Sequence, residues 1–132
     1  MSEKSIAEKL QIKAGARVWV SDPAHADRVG PLPAGAEPVA TSGDATVGLF
    51  FAADAAGLRR LLDTHRERLA GLDLVWIAYP KGNRADINRD SVWPILGEYG
   101  MRPQAQVAID DVWSALRFRA NREGEAPFTG GR

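Results

Sequence analysis

The chain has 132 residues, of which 45% are apolar and 26% charged, with 17 basic residues balancing 17 acidic ones and no cysteine. That length fits one domain with a single core, and the even charge argues against a nucleic-acid footprint. The absence of cysteine removes disulfides, thiolate metal sites and a cysteine nucleophile, and His25 and His65 stand too far apart for a local ligand pair, so no metal is expected.

The opening Met1-Ser2-Glu3-Lys4-Ser5 leads into no apolar signal core, and no apolar run approaches a membrane span, so a cytoplasmic protein without membrane contact is expected. Ser5 and Glu8 have the spacing of a capping box, with Ile6 and Leu10 following at the interval of one helix face, which predicts a short leading helix. Ala14-Gly15 turns the chain into a first strand, Arg17 to Val20, which Ser21-Asp22-Pro23 ends. Residues 21–36 contain Pro23, Pro31 and Pro33 with little periodicity and read as a loop or at most one helical turn. Glu37 to Thr41 reads as a weak edge strand because of Pro38, and Thr46 to Ala53 as a strongly apolar third strand.

Asp54 caps a predicted helix with Leu58, Leu61, Leu62, His65 and Leu69 inward, Arg59, Arg60 and Arg66 outside, and Gly71 as its stop. Asp73 to Gly82 then reads as the central strand, buried on both faces, with Tyr79, Lys81 and Asn83 at its carboxyl end. A helix from Asn88 to Tyr99 follows, and Pro94 requires a start near Asp90 or Ser91, or else a kink. Ala105 to Ile109 and Ala115 to Arg119 form an antiparallel hairpin across Asp110 to Ser114. Residues 123–132 read as a flexible tail, leaving a single domain over residues 1–122. The element order implies an α/β fold: a mostly parallel twisted sheet of about six strands, order 2-1-3-4-6-5, with helices on both faces and an antiparallel last strand.

Leu10 to Val20 resembles the approach to the first strand of class I methyltransferases, and the terminal hairpin resembles their reversed last strand. The resemblance implies a truncated Rossmann-like fold. In that family a glycine-rich acidic loop after the first strand cradles S-adenosylmethionine, and an acid ends the second strand; here the loop is Ser21 to Asp27 and the second position falls on Thr41 or Ser42, with Asp44 beyond. No cofactor is therefore expected. Ala78-Tyr79-Pro80-Lys81, Asp86 to Asp90 and Asp110 to Phe118 resemble the motifs of a bacterial family known only as a domain of unknown function, over roughly residues 8–120, with Tyr79 where that family has tryptophan.

The candidate site residues are Tyr79, Lys81, Asn83, Asp110, Trp113, Ser114 and Arg117 at the carboxyl end of the sheet, where open α/β sheets place ligands. A bland reading makes them a clasp, with Lys81 or Arg117 paired to Asp110 and Trp113 capping the core. A functional reading makes them an anion pocket, with Lys81 as its charge and Asn83 or Ser114 orienting the ligand. The leading expectation is thus a non-catalytic, methyltransferase-like domain that binds a protein partner or a small anionic ligand. A small-molecule enzyme using Lys81 with Asp86, Asp90 or Asp110, and a scaffold that buries an exposed edge in a homo-oligomer, are the alternatives.

Overall fold

Apolar runs form the inner strands β1 at Arg17–Val20, β3 at Val47–Phe51, β4 at Leu74–Pro80 and β6 at Trp113–Ala120, and more polar segments form the outer strands β2 at Glu37–Pro38 and β5 at Met101–Ala108. In a computed structural model describing residues 6–69, 71–82 and 86–125, they make one sheet in the order β2-β1-β3-β4-β6-β5. The first four strands are parallel, and β6 runs antiparallel to both β4 and β5. Fold class and strand order are those expected from the sequence.

β4 is the centre because it is apolar on both sides: every residue from Val75 to Pro80 is buried. Val75, Ile77 and Tyr79 pack with Phe50, Leu116 and Phe118 beneath three helices, α3 at Ala55–Thr64, α4 at Arg66–Leu69 and α5 at Arg89–Gly97. Trp76 and Ala78 face the other way, with Leu49, Phe51 and Trp113, toward α1 at Ile6–Lys9 and α2 at Ala26–Val29. The Trp76 indole donates to the Leu10 carbonyl at 2.9 Å, satisfying the polar atom of a side chain that is otherwise sealed off.

Four local expectations change. Residues 21–36 hold two turns of helix back to back, a 3-10 turn at Pro23–His25 running into α2, because Asp22 accepts from the Ala24 amide and Pro23 supplies a preset φ at the helix start. The strand expected at Glu37 to Thr41 pairs formally only over Glu37–Pro38, although Val39 still donates to the Val18 carbonyl. The helix capped by Asp54 breaks at His65, which leaves helical geometry as its ring engages Ser42 and Trp19. The last helix starts at Arg89, so Pro94 lies inside it and offers no N–H to the Asp90 carbonyl. Pro103 falls within the outer strand β5, beside a register shift between Pro103 and Ala105; an edge tolerates both.

The boundary expected after residue 122 is crossed by Glu125, whose carboxylate meets Arg119 at 2.7 Å and Arg102 at 3.1 Å and accepts from the Arg122 amide. The Arg119 hydrogen bond, with the Arg122 amide, holds the Glu125 carboxyl down at about 2. Residues 126–132 of the expected tail, and Ser5 of the expected capping box, lie outside the described residues. Among the described residues no helix is long and apolar enough to cross a membrane.

A candidate ligand cleft at the carboxyl end of the sheet

β4 ends where Pro80 takes the last pairing, with Trp113, and Gly82 turns the chain at φ 70°. Between them the Lys81 amide donates to the Val112 carbonyl at 2.7 Å, pinning Lys81 to the β5–β6 hairpin. Beside Lys81 opens a cleft of about 610 Å³, bounded by Tyr79, Gln106 and Ser114 from the sheet and by Asn88 and Asp90 from the start of α5. Gln106 Nε2 donates to the Tyr79 hydroxyl at 3.0 Å and to Ser114 Oγ at 3.4 Å, and Ser114 in turn donates to the Val107 carbonyl. Tyr79 and Ser114 are 3% and 5% exposed, so this floor is fixed by burial as well as by its hydrogen bonds. The first amides of α5 are already taken: Asn88 Oδ1 accepts from the Asp90 and Ser91 amides, and Ser91 Oγ accepts from the Asn88 amide. Among the described residues the Lys81 ammonium is in no ion pair, although the Asp90 carboxylate lines the same polar cleft.

Tyr79, Lys81 and Ser114 are therefore brought together. Asn83 lies outside the described residues. Trp113 is 7% exposed and caps the core, but on the opposite face of the sheet from Tyr79. The expected pairing of Asp110 with Lys81 or Arg117 is replaced by Arg28, whose Nη1 donates to Asp110 Oδ2 at 2.7 Å. Asp110 Oδ1 accepts from the Val112 and Trp113 amides and so builds the hairpin turn itself. Burial pushes the Asp110 carboxyl up, but those two amides and the Arg28 guanidinium outweigh it and hold it below the ordinary carboxylate value.

Arg117 does not join this group. Trp113 pairs with Pro80 but Arg117 with Trp76, so Arg117 lies most of a strand away, about 13 Å at the usual rise. It donates to Gln11 beside a groove of about 820 Å³ at the amino end of the sheet, also lined by Lys13 and Asp73. Of the acids considered as partners for Lys81, Asp86 accepts from the Ala55 amide at 2.7 Å at the start of α3, Asp110 is held by Arg28, and Asp90 alone lines the cleft.

The segment after β1 has its own arrangement. Ser21 Oγ accepts from the Phe51 amide, the His25 ring stacks on Phe51 at 4.5 Å and meets Trp113 edge-on at 4.8 Å, and Arg28 Nε donates to His25 Nδ1 at 2.9 Å. Its first glycine is Gly30, beyond α2. Where the resemblance implies a glycine-rich cradle, side chains fill the face beside Phe51 instead. A smaller cavity of about 470 Å³ lies between Ser21, Asp22, Phe51, Asp54, Arg60 and His65. His65 is itself tied to Ser42, its Nδ1 lying 2.8 Å from Ser42 Oγ, and burial lowers its pKa.

Sequence reasoning missed Gln106 and Arg28. Gln106 falls on a strand whose alternation is broken at Pro103, and Arg28 meets a partner 82 residues away, which no local spacing reports.

No family model matches the chain, and no curated protein is significantly similar in sequence. Solved structures do match. A protein of the NADB-Rossmann superfamily from Streptococcus agalactiae superposes with a TM-score of 0.59 at 8% identity, covering 98% of this chain and 72% of that one. Streptococcus pneumoniae Sp1610, a candidate tRNA (m1A22) methyltransferase, gives 0.59 at 14% identity over 98% and 74%. The m1A22 tRNA methyltransferase TrmK of B. subtilis gives 0.54 at 12% identity over 96% and 71%. At such identities the likeness is one of fold, and this chain has the six-stranded, mostly parallel α/β architecture of those Rossmann-like, methyltransferase-like proteins.

Proposed function

We propose that this domain is a binding module of methyltransferase-like fold, not a methyltransferase, and that it holds a small anionic ligand at Lys81 in the cleft above Tyr79, Gln106 and Ser114. The observation that carries this reading is the Lys81 ammonium: a cation with no carboxylate partner among the described residues, beside the buried hydroxyls of Tyr79 and Ser114, both hydrogen-bonded to Gln106, at the end of the sheet where such folds bind ligands. Arg28, an arginine at this end of the sheet, is spent on His25 and Asp110. Methyl transfer is disfavoured by the segment after β1, which has no glycine before Gly30 and seats His25 against Phe51.

A ligand that binds only the folded state raises the melting temperature by mass action. Wild-type protein and Lys81→Ala are to be screened by thermal shift against small carboxylates, phosphates and S-adenosylmethionine. The reading expects an anion-dependent shift in the wild type, an unchanged melting temperature for the unliganded variant, and no anion response from it. S-adenosylmethionine at millimolar concentration should shift neither. A Lys81→Ala protein that is destabilised yet keeps the full anion response would sink it.

A further inference from the structure

We propose that the outer edge of β5, residues 104–108, is an interface on which a second copy of this chain pairs antiparallel about a two-fold axis, joining two sheets into one. Among the described residues β5 ends the sheet, with β6 on one side of it and no strand on the other. The Ile109 amide donates to the Trp113 carbonyl at 3.0 Å, and bonded residues alternate along an antiparallel ladder. Val107 and Ala105 therefore turn their backbone groups to β6, and Gln106 and Ala108 turn theirs outward. The Gln106 side chain is engaged with Tyr79 and Ser114, so the edge presents backbone. Gln104, Ala105, Gln106 and Ala108 are exposed, and Val107 is half-buried.

The occupant follows from how the two edges of the sheet differ. Edge strands are blunted by charge, by proline or by brevity. β2, at the opposite edge, has all three: it is two residues long, and they are Glu37 and Pro38. β5 is bounded by Pro103 and by the Asp110 turn, but Gln104 to Ala108 contains neither charge nor proline. A two-fold pairing sets these residues against the same residues of the copy, so no like charges meet, and like-charge repulsion is what ordinarily forbids a strand its own copy. One open edge per chain closes the assembly at two copies instead of extending it into a fibre. An interface of this length falls in the class below about 1,200 Å², so the dimer is a transient one.

Sedimentation equilibrium on the full chain, up to about 1 mM, reads the association directly. Gln106 is the middle of the edge, so a charge at its neighbour Val107 comes to roughly 8 Å of its own copy across the axis. Wild type should show a concentration-dependent equilibrium between monomer and dimer. Val107→Lys and Val107→Glu, each first shown to melt cooperatively, should each weaken it about tenfold or more, and an equimolar mixture of the two should restore it. Ala105→Lys and Ala105→Glu, at the exposed position on the same face, take their place should either fail to melt cooperatively. A wild type that stays monomeric at about 1 mM overturns the proposal, as does a dimer that both charged variants keep at full strength. Dimerisation seen only in a chain ending at Glu125 would assign the edge to residues 126–132 and overturn the second copy as its occupant.

Discussion

Asp110 illustrates how far a single residue could be read from sequence. Its place at the start of the expected hairpin turn led to a clasp with Lys81 or Arg117 as one reading; it does build the turn, but its partner is Arg28, which reaches it only because the segment after β1 coils back over the sheet. The pair makes a pH prediction. Asp110 has a lowered folded-state pKa, so its contribution is fully present above the ordinary carboxylate value of 3.8 and is lost as pH falls through the lower folded value. Asp110→Asn keeps an oxygen for the turn amides but loses the charge, so its stability deficit by urea unfolding should be constant at neutral pH and vanish in strong acid. A deficit that persists at the lowest pH would mean that the charge is irrelevant.

His65 carries the opposite kind of group with the same sign of dependence. Burial disfavours its imidazolium, so the unfolded chain takes up a proton first as pH falls below 6.5, and stability declines through the window beneath that value. His65→Gln should lack this slope. An NMR titration of the wild type should place the His65 midpoint below 6.5, and one at or above it would contradict the burial argument.

Strands were legible where a run is apolar and bounded by turn or capping residues, as β4 is by Gly71 and by Pro80 with Gly82, and as β3 is by Gly43 and Asp54. The helix α2 was not, because it has too few residues to show a period and sits among prolines that signal loop, whereas the equally short α1 was marked by its capping spacing and by Ile6 and Leu10. Two elements give direct tests. Gly48 lies in β3 where an added Cβ would approach Leu72 Cδ1 and Phe50 Cε1 to 2.9 Å, so Gly48→Ala should cost about 1–3 kcal/mol by overpacking, read from denaturant unfolding. A neutral Gly48→Ala would show that Leu72 yields freely. Trp113 holds Phe51 and His25 at the sheet end, and Trp113→Ala should cost about 3–5 kcal/mol, enough to unfold a domain of ordinary stability.

The carboxyl-terminal segment is a further case. Its glycines and lack of periodicity predict a tail, but a single carboxylate at Glu125 gathers Arg102, Arg119 and the Arg122 amide. A chain ending at Arg122 should therefore melt below one ending at Glu125, and the difference should be full above pH 4.5 and shrink as pH falls from there toward about 2, the folded value of that carboxyl. Equal melting temperatures would show that the clasp is solvent-weakened to nothing.

At the scale of the whole molecule, strand order followed from right-handed crossovers and the reversed last strand, so the position of the cleft beyond Pro80 could be foreseen. Its membership could be foreseen only in part. Tyr79, Lys81 and Ser114 face one another because Tyr79 pairs with Ser114 across the β4–β6 ladder, which fixes both side chains on one face. Arg117 fails for the same reason: β6 runs away from the carboxyl end, so each residue after Ser114 moves further from Lys81.

The central claim is that ligand binding sits at the Lys81 cleft and not beside the segment after β1. Amide chemical-shift mapping on the full chain tests it directly, with the carboxylate that gives the largest thermal shift and, separately, with S-adenosylmethionine. The carboxylate should move the amides of Tyr79, Lys81, Gln106 and Ser114 and leave those of Ser21 to Arg28 and Asp54 to Gly57 in place, and S-adenosylmethionine should move neither set. Saturable shifts confined to Ser21 to Arg28 and Asp54 to Gly57, with Lys81 silent, would contradict it.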